Sequence, residues 1–215
     1  MENCNFQLTN EQEVVEIVAG LNDAAAGHDE IPTKILKRVI NEIINPLTHI
    51  CNCMFLTGQF PNQLKIAKVI PMFKQGDKSD FNNYRPIAIL PAFSKILEKL
   101  IHVRLNDFLT RNNIITDSQH GFRKQRSTQS ALIQLTDHIL EYFDKTEYTC
   151  GVFLDFKKAF DCVDHTILIR KLEHYGLRNS SLNLISDYLK NRQQYTYYLS
   201  TNSSKTVLTH SVPQG

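Results

Sequence analysis

Helical and strand-like hydrophobic patterns alternate along this chain, and the mixture predicts an α+β fold. Three observations carry the prediction. Apolar residues recur at helical spacing through most of the first 56 positions. A β-prone run, IAKVIPMF, is followed by the polar stretch KQGDKSDFNN and then RPIAIL, the pattern of paired strands. A second β-prone run, TCGVFLDF, lies between further helical segments.

Taken in order, Thr9 can cap a helix from Asn10 to about Ala26 with Val14, Val15, Val18 and Leu21 on one face, and the GHDEIP turn stops it. A second helix is predicted from Thr33 to about Leu56, with Pro46 expected to kink or divide it. The hairpin follows over Ile66–Phe73 and the RPIAIL segment, where Pro71 and Pro86 limit ladder bonding and favour an edge position. Helices are expected at Ser94 to Leu109 and Ser127 to Phe143, with the polar segment QHGFRKQR between them. Next come a strand, Thr149 to Phe156, two helices near Thr166–Tyr175 and Ser180–Asn191, and a hairpin from Gln194–Leu199 and Lys205–His210. No repeat, low-complexity tract or Gly/Ser linker marks a boundary.

With 215 residues the chain is long enough for one ordinary domain or two small ones. No stretch reaches the roughly 20 apolar residues that span a bilayer, and MENCNFQLTN lacks a basic start and an apolar signal core, so neither membrane insertion nor secretion is expected. Five cysteines without C-x-x-C spacing argue for reduced thiols in an intracellular compartment. His49, Cys51 and Cys53 have the residue types of a zinc site, but small buried thiols on a helix explain them as well. Charge is uneven. Residues 1–64 carry a net −5, residues 65–126 a net +7 from 12 basic and 5 acidic side chains, and residues 127–215 none. The basic middle suits a polyanionic partner or, equally, a solvated face.

Four clusters have chemistry to offer. Asp155 ends an apolar run, where a carboxylate serves as a Mg²⁺ ligand or as a capped or salt-bridged strand end. Phe160, five residues on, either walls the same pocket against a sugar hydroxyl or packs beneath the turn. Lys74 and Arg85 flank the hairpin loop, placed to close two cations over a triphosphate or to remain surface charges. Arg123 and Arg126 precede Ser127-Thr128 at a helix start, suited to gripping phosphates, with helix capping by Ser127 the simpler alternative. The terminal Val212-Pro213-Gln214-Gly215 adds a turn and, in Gln214, an amide for base or sugar contact. His120 and His165 read as structural.

In this order the clusters resemble the reverse transcriptase of non-LTR (LINE-type, jockey-like) retrotransposons. The resemblance covers nearly the whole chain: AAGHDEIPTKILK, KVIPMFKQGDKSDFNNYRPIAILPAFSKILEKL, QHGFRKQRSTQSAL, FLDFKKAFDCVDH and SVPQG. It implies a right-hand polymerase fold, with 1–64 an N-terminal helical extension and leading fingers segment, 65–147 fingers and 148–215 part of the palm. It implies RNA-directed DNA synthesis from deoxynucleoside triphosphates on an RNA template and DNA primer. Two Mg²⁺ ions, with Mn²⁺ as a substitute, would do the chemistry. Asp155 and the Phe156 carbonyl would hold metal. Lys74, Arg85, Phe160 and Gln214 would bind the nucleotide, with Phe160 the gate against ribonucleotides, and Arg123 and Arg126 would contact nucleic acid. The nucleus, where target DNA is met, is the expected location. The family's Ala-Asp-Asp block and thumb lie beyond the P-Q-G turn and outside these residues. Asp155 alone is therefore not expected to hold two cations, and the alternative is a catalytically dead product that at most binds nucleic acid. Ser211 stands where the family usually has Gly, and Cys162 where Thr is common.

Overall fold

The computed structural model describes residues 4–156 and 159–212. Its backbone gathers into two compact units, one built from the stretches up to Phe108 and from residue 158 on, the other from Leu109 to residue 157. These units cut across the three sequence segments, since the 65–147 stretch contributes to both.

The first unit begins with α1 (Glu11–Gly20), capped by Asn10 rather than Thr9: the Asn10 side chain accepts from Glu13 N at 2.9 Å, while Thr9 Oγ1 donates to Glu13 Oε2. The helix stops at Gly20, well short of Ala26, because Leu21 turns to extended backbone. Next, α2 (Thr33–Thr57) runs through Pro46, so of the two expected outcomes, a kink or a division, division does not occur, and the helix closes at Gly58 in the left-handed conformation. A buried stripe of Leu36, Ile40, Leu47, Cys51, Met54 and Phe55 packs α2 against α1 and α6 (Asn179–Leu189). Each such leucine or phenylalanine removed from water contributes about 1.5–3 kcal/mol. Arg104 on α3 (Ala92–Arg111) ties the layers together. Its guanidinium grips both Glu13 oxygens at 2.8 and 2.9 Å, reaches the Gln7 carbonyl at 2.6 Å and stacks 4.7 Å over Phe55. That grip holds the Glu13 carboxyl below its usual range.

The hairpin forms as expected. β1 (Ile66–Phe73) pairs antiparallel with β2 (Tyr84–Ile89), and Pro71 faces Pro86 in the register. β1 is not an edge, however. Its first half, Ile66–Val69, also pairs in parallel with β3 (Gln193–Tyr198), giving the order β2-β1-β3-β4, with β4 (Thr201–Asn202) antiparallel to β3 and β5 (Thr206–Val207) on β3 as well. Pro71 lies past the last residue bonded to β3, which reconciles a proline with an inner strand. Gly27, in the AAGHDEIP turn, lies so close to the end of the hairpin that a Cβ would come within 2.7 Å of Pro91 N, so this position admits no side chain. α5 (His165–His174) is capped by Asp164, whose carboxylate accepts from Thr166 N and Ile167 N and is held below its usual range by those bonds.

The second unit holds α4 (Thr128–Asp144). Ser127 caps it in a reciprocal capping box with Ser130. The predicted strand at Thr149–Phe156 is absent: the segment carries no ladder, and Val152, Phe153, Leu154 and Phe156 are each at least 76% exposed. The β tendency is real, but a strand exists only where another supplies its hydrogen bonds, and none does so among the described residues.

Candidate functional site

The sheet builds a groove of about 1110 Å³ in the first unit. Its floor is one sheet face: Ala67, Val69 and Pro71 of β1 alternate inward, with Ala88 and Pro86 opposite them on β2 and Gln194 and Thr196 beside them on β3. Lys74 and Arg85 both line it, so the two cations singled out in the sequence open onto one space. The Lys74 amide donates to the Asn83 carbonyl at 2.9 Å, which closes the loop and fixes where Lys74 starts.

Asp161, Ser211 and Val212 line the groove as well. A short backbone zip joins their two segments. Ser211 N donates to the Val163 carbonyl and Val212 N to the Phe160 carbonyl, each at 3.1 Å, and His165 Nε2 donates to the Ser211 carbonyl at 2.6 Å. Phe160, 42% exposed, is thereby tethered to the segment that leads into P-Q-G. Gln214 falls outside the described residues. Ser211 has φ +87°, a left-handed conformation that favours glycine.

Behind the groove lies a buried polar cluster. Glu98 accepts from Ser94 Oγ at 2.9 Å and Tyr188 OH at 3.0 Å, and Arg192 stacks 4.6 Å over the Tyr188 ring. Burial pushes both the Glu98 carboxyl and the Tyr188 phenol up. Lys65, equally buried, pairs with Asp187 at 2.9 Å.

The second unit brings Arg123 and Arg126 together. Both guanidiniums converge on Asp117 Oδ1, at 3.8 and 3.5 Å, and Arg123 also donates to the Thr116 carbonyl at 2.7 Å. Phe122 and Gln125, in the same loop, have φ of +59° and +63°. His120 is structural: Ser130 Oγ and Gln134 Oε1 engage its two ring nitrogens. Asp155 and Phe156 lie in this unit, exposed and outside any strand. Among the described residues no three His, Cys, Asp or Glu side chains converge, so Asp155 does not by itself make a metal site. Cys51 is buried, which pushes its thiol up to about 12, and only Cys53 approaches His49, at 3.4 Å, in keeping with helix packing rather than zinc. Sequence reasoning missed Lys78, Phe81, Asp161 and Arg192, all of which line the groove. For Lys78 and Phe81 the signal was a cation and an aromatic within a loop read only as a turn.

The family model for reverse transcriptase (RNA-dependent DNA polymerase) matches residues 74–215, and the chain belongs to that family. It is 35% identical over 212 residues to the probable RNA-directed DNA polymerase from transposon BS of Drosophila melanogaster, covering 95% of this chain and 23% of the relative. It is 33% identical over 205 residues to the probable RNA-directed DNA polymerase from transposon X-element of the same fly, covering 94% and 22%. It is 31% identical over 209 residues to the RNA-directed DNA polymerase from the fly's mobile element jockey, covering 95% and 22%. The chain thus spans under a quarter of the length of these relatives.

Proposed function

We propose that these residues form the fingers and the first part of the palm of a right-hand, RNA-directed DNA polymerase encoded by a non-LTR retrotransposon. The observation that carries the reading is the groove, which Lys74 and Arg85 line together with Ser211 and Val212 over one face of the sheet. A triphosphate there meets a guanidinium fork and a lysine point charge. Phe160, tethered to Val212, crowds the sugar, and Gln214 contacts the nucleotide. Arg123 and Arg126, steadied by Asp117, grip template or nucleotide phosphates. RNA template and DNA primer are held through backbone and shape, with little sequence preference.

Members of this family use divalent metal ions, and Mg²⁺ is the ion we propose, with Mn²⁺ able to replace it. Asp155 and the Phe156 carbonyl contribute to its binding without completing it. These 215 residues by themselves are therefore expected to bind nucleic acid and nucleotide without extending a primer. The polymerase acts in the nucleus, where the target DNA lies.

The test is binding of an RNA–DNA primer–template to the chain over a salt series, with Lys74→Ala and Arg85→Ala beside it. Affinity that falls steeply with salt, and deoxynucleotide binding lost in both variants, is expected. Salt-independent affinity, or nucleotide binding indifferent to both changes, would sink the reading. Template-dependent synthesis abolished by Asp155→Asn would show that the chain is active by itself.

A further inference from the structure

One large apolar side chain on the groove rim has no structural purpose in the fold. Phe81 is 91% exposed, at the tip of the β1–β2 hairpin, in the turn Phe81–Asn83. Hydrophobic packing does not explain its position. It is a single ring, not part of an apolar patch, and its sequence neighbours Ser79, Asp80, Asn82 and Asn83 are polar.

The tip that presents it is fixed by hydrogen bonds. Asp77 Oδ1 accepts from Ser79 N at 2.8 Å, and Asp80 Oδ1 accepts from Asn82 N at 2.9 Å. Asn83 Nδ2 donates to the Asp77 carbonyl at 2.9 Å, and Tyr84 OH to the Lys78 carbonyl at the same distance. The backbone that carries the ring is thus fixed, so stacking on it costs side-chain freedom but no ordering of the loop. The electrostatics select what does so. Lys74, Lys78 and Arg85 share the groove with Phe81, whereas the tip's two carboxylates, Asp77 and Asp80, are engaged by the turn and do not line it. Among the described residues, Asp161 is the one carboxylate that lines the groove.

We propose that Phe81 is a base-stacking residue, and that the hairpin tip binds an unpaired base of single-stranded RNA against this ring while Lys78 holds a flanking phosphate. An aromatic platform beside a cationic track is the arrangement that binds single strands without reading sequence, because every base has a π face. The proposal rests on the reading that this chain engages an RNA template, and it names the residue that meets the strand where it is still unpaired.

The chain contains no tryptophan, so Phe81→Trp installs a sole indole at the tip. Titration with a single-stranded RNA of about 12 nucleotides, within the length range of single-strand sites, should quench that emission saturably. Phe81→Ala should weaken RNA binding roughly tenfold, as loss of a base–aromatic stack does, and Phe81→Leu should weaken it comparably. All three variants should leave the slope of log affinity against log salt unchanged, since stacking releases no counterion, whereas Lys78→Ala should reduce that slope. Unchanged circular dichroism will confirm that the exposed substitutions leave the fold intact. If RNA binds but the indole emission of the Phe81→Trp variant stays constant and Phe81→Ala binds like wild type, the stacking proposal is wrong and the template reading stands. If leucine keeps full affinity, the ring serves apolar docking and the proposal is equally wrong. If the wild-type chain binds no RNA at low salt, both fall together.

Discussion

Ser211→Gly should stabilise the chain, and the size of the gain follows from its backbone. Ser211 sits at φ +87°, where a Cβ crowds the backbone at a cost of about 1–2 kcal/mol. It cannot relax, because its amide is bonded to the Val163 carbonyl, its own carbonyl to His165 and the next amide to the Phe160 carbonyl. Glycine removes the crowding but adds about 0.5–1 kcal/mol of unfolded-chain entropy. The difference leaves about 0.5–1 kcal/mol of net stabilisation, which for a chain of this size raises Tm by about 1–4 °C. Scanning calorimetry of wild type, Ser211→Gly and Ser211→Ala is the assay. Alanine keeps the Cβ and loses only the hydroxyl, so it should show no gain. A Tm that falls with glycine, or rises equally with alanine, would refute the strain argument.

The other predictions concern the groove wall, the core and the ion pair that ties the layers. His165→Ala should speed amide exchange at Ser211 and Val212 about fivefold, and His165→Gln, which keeps a donor, should restore protection; hydrogen exchange measured at those amides decides it. Glu13→Gln should destabilise at pH 7 by about 1–2 kcal/mol through loss of the Arg104 grip. Because the folded-state pKa of Glu13 is lowered, that stability is present above its unfolded value near 4.5 and is lost as pH falls through the folded pKa, so urea midpoints of variant and wild type should converge in acid. Gly27→Ala should destabilise by about 2 kcal/mol or more, since its Cβ meets Pro91 backbone rather than a movable side chain, and thermal melts will show it.

How much of this was legible in the sequence depends on the range of the interaction that decides each feature. The hairpin and helices α2 to α6 follow from local periodicity and capping, so their ends fall within a few residues of expectation, and Lys74 and Arg85 open onto one groove because one short loop carries both. Pro46 did not divide α2, because a buried stripe along the helix packs against α1 and α6 and that packing outweighs the bond that proline forfeits. The meeting of the Phe160 loop with Ser211–Val212 joins segments some 50 residues apart, and nothing in either segment encodes it except the Gly position that Ser211 now occupies. Asp155 is the sharpest case. Its apolar run has the composition of a buried strand, yet Val152, Phe153 and Leu154 stand 79–84% exposed because no strand among the described residues pairs with theirs. A sequence can state a strand's preference; the ladder belongs to two segments, and the geometry that would make Asp155 a metal ligand belongs to whichever segment pairs with it.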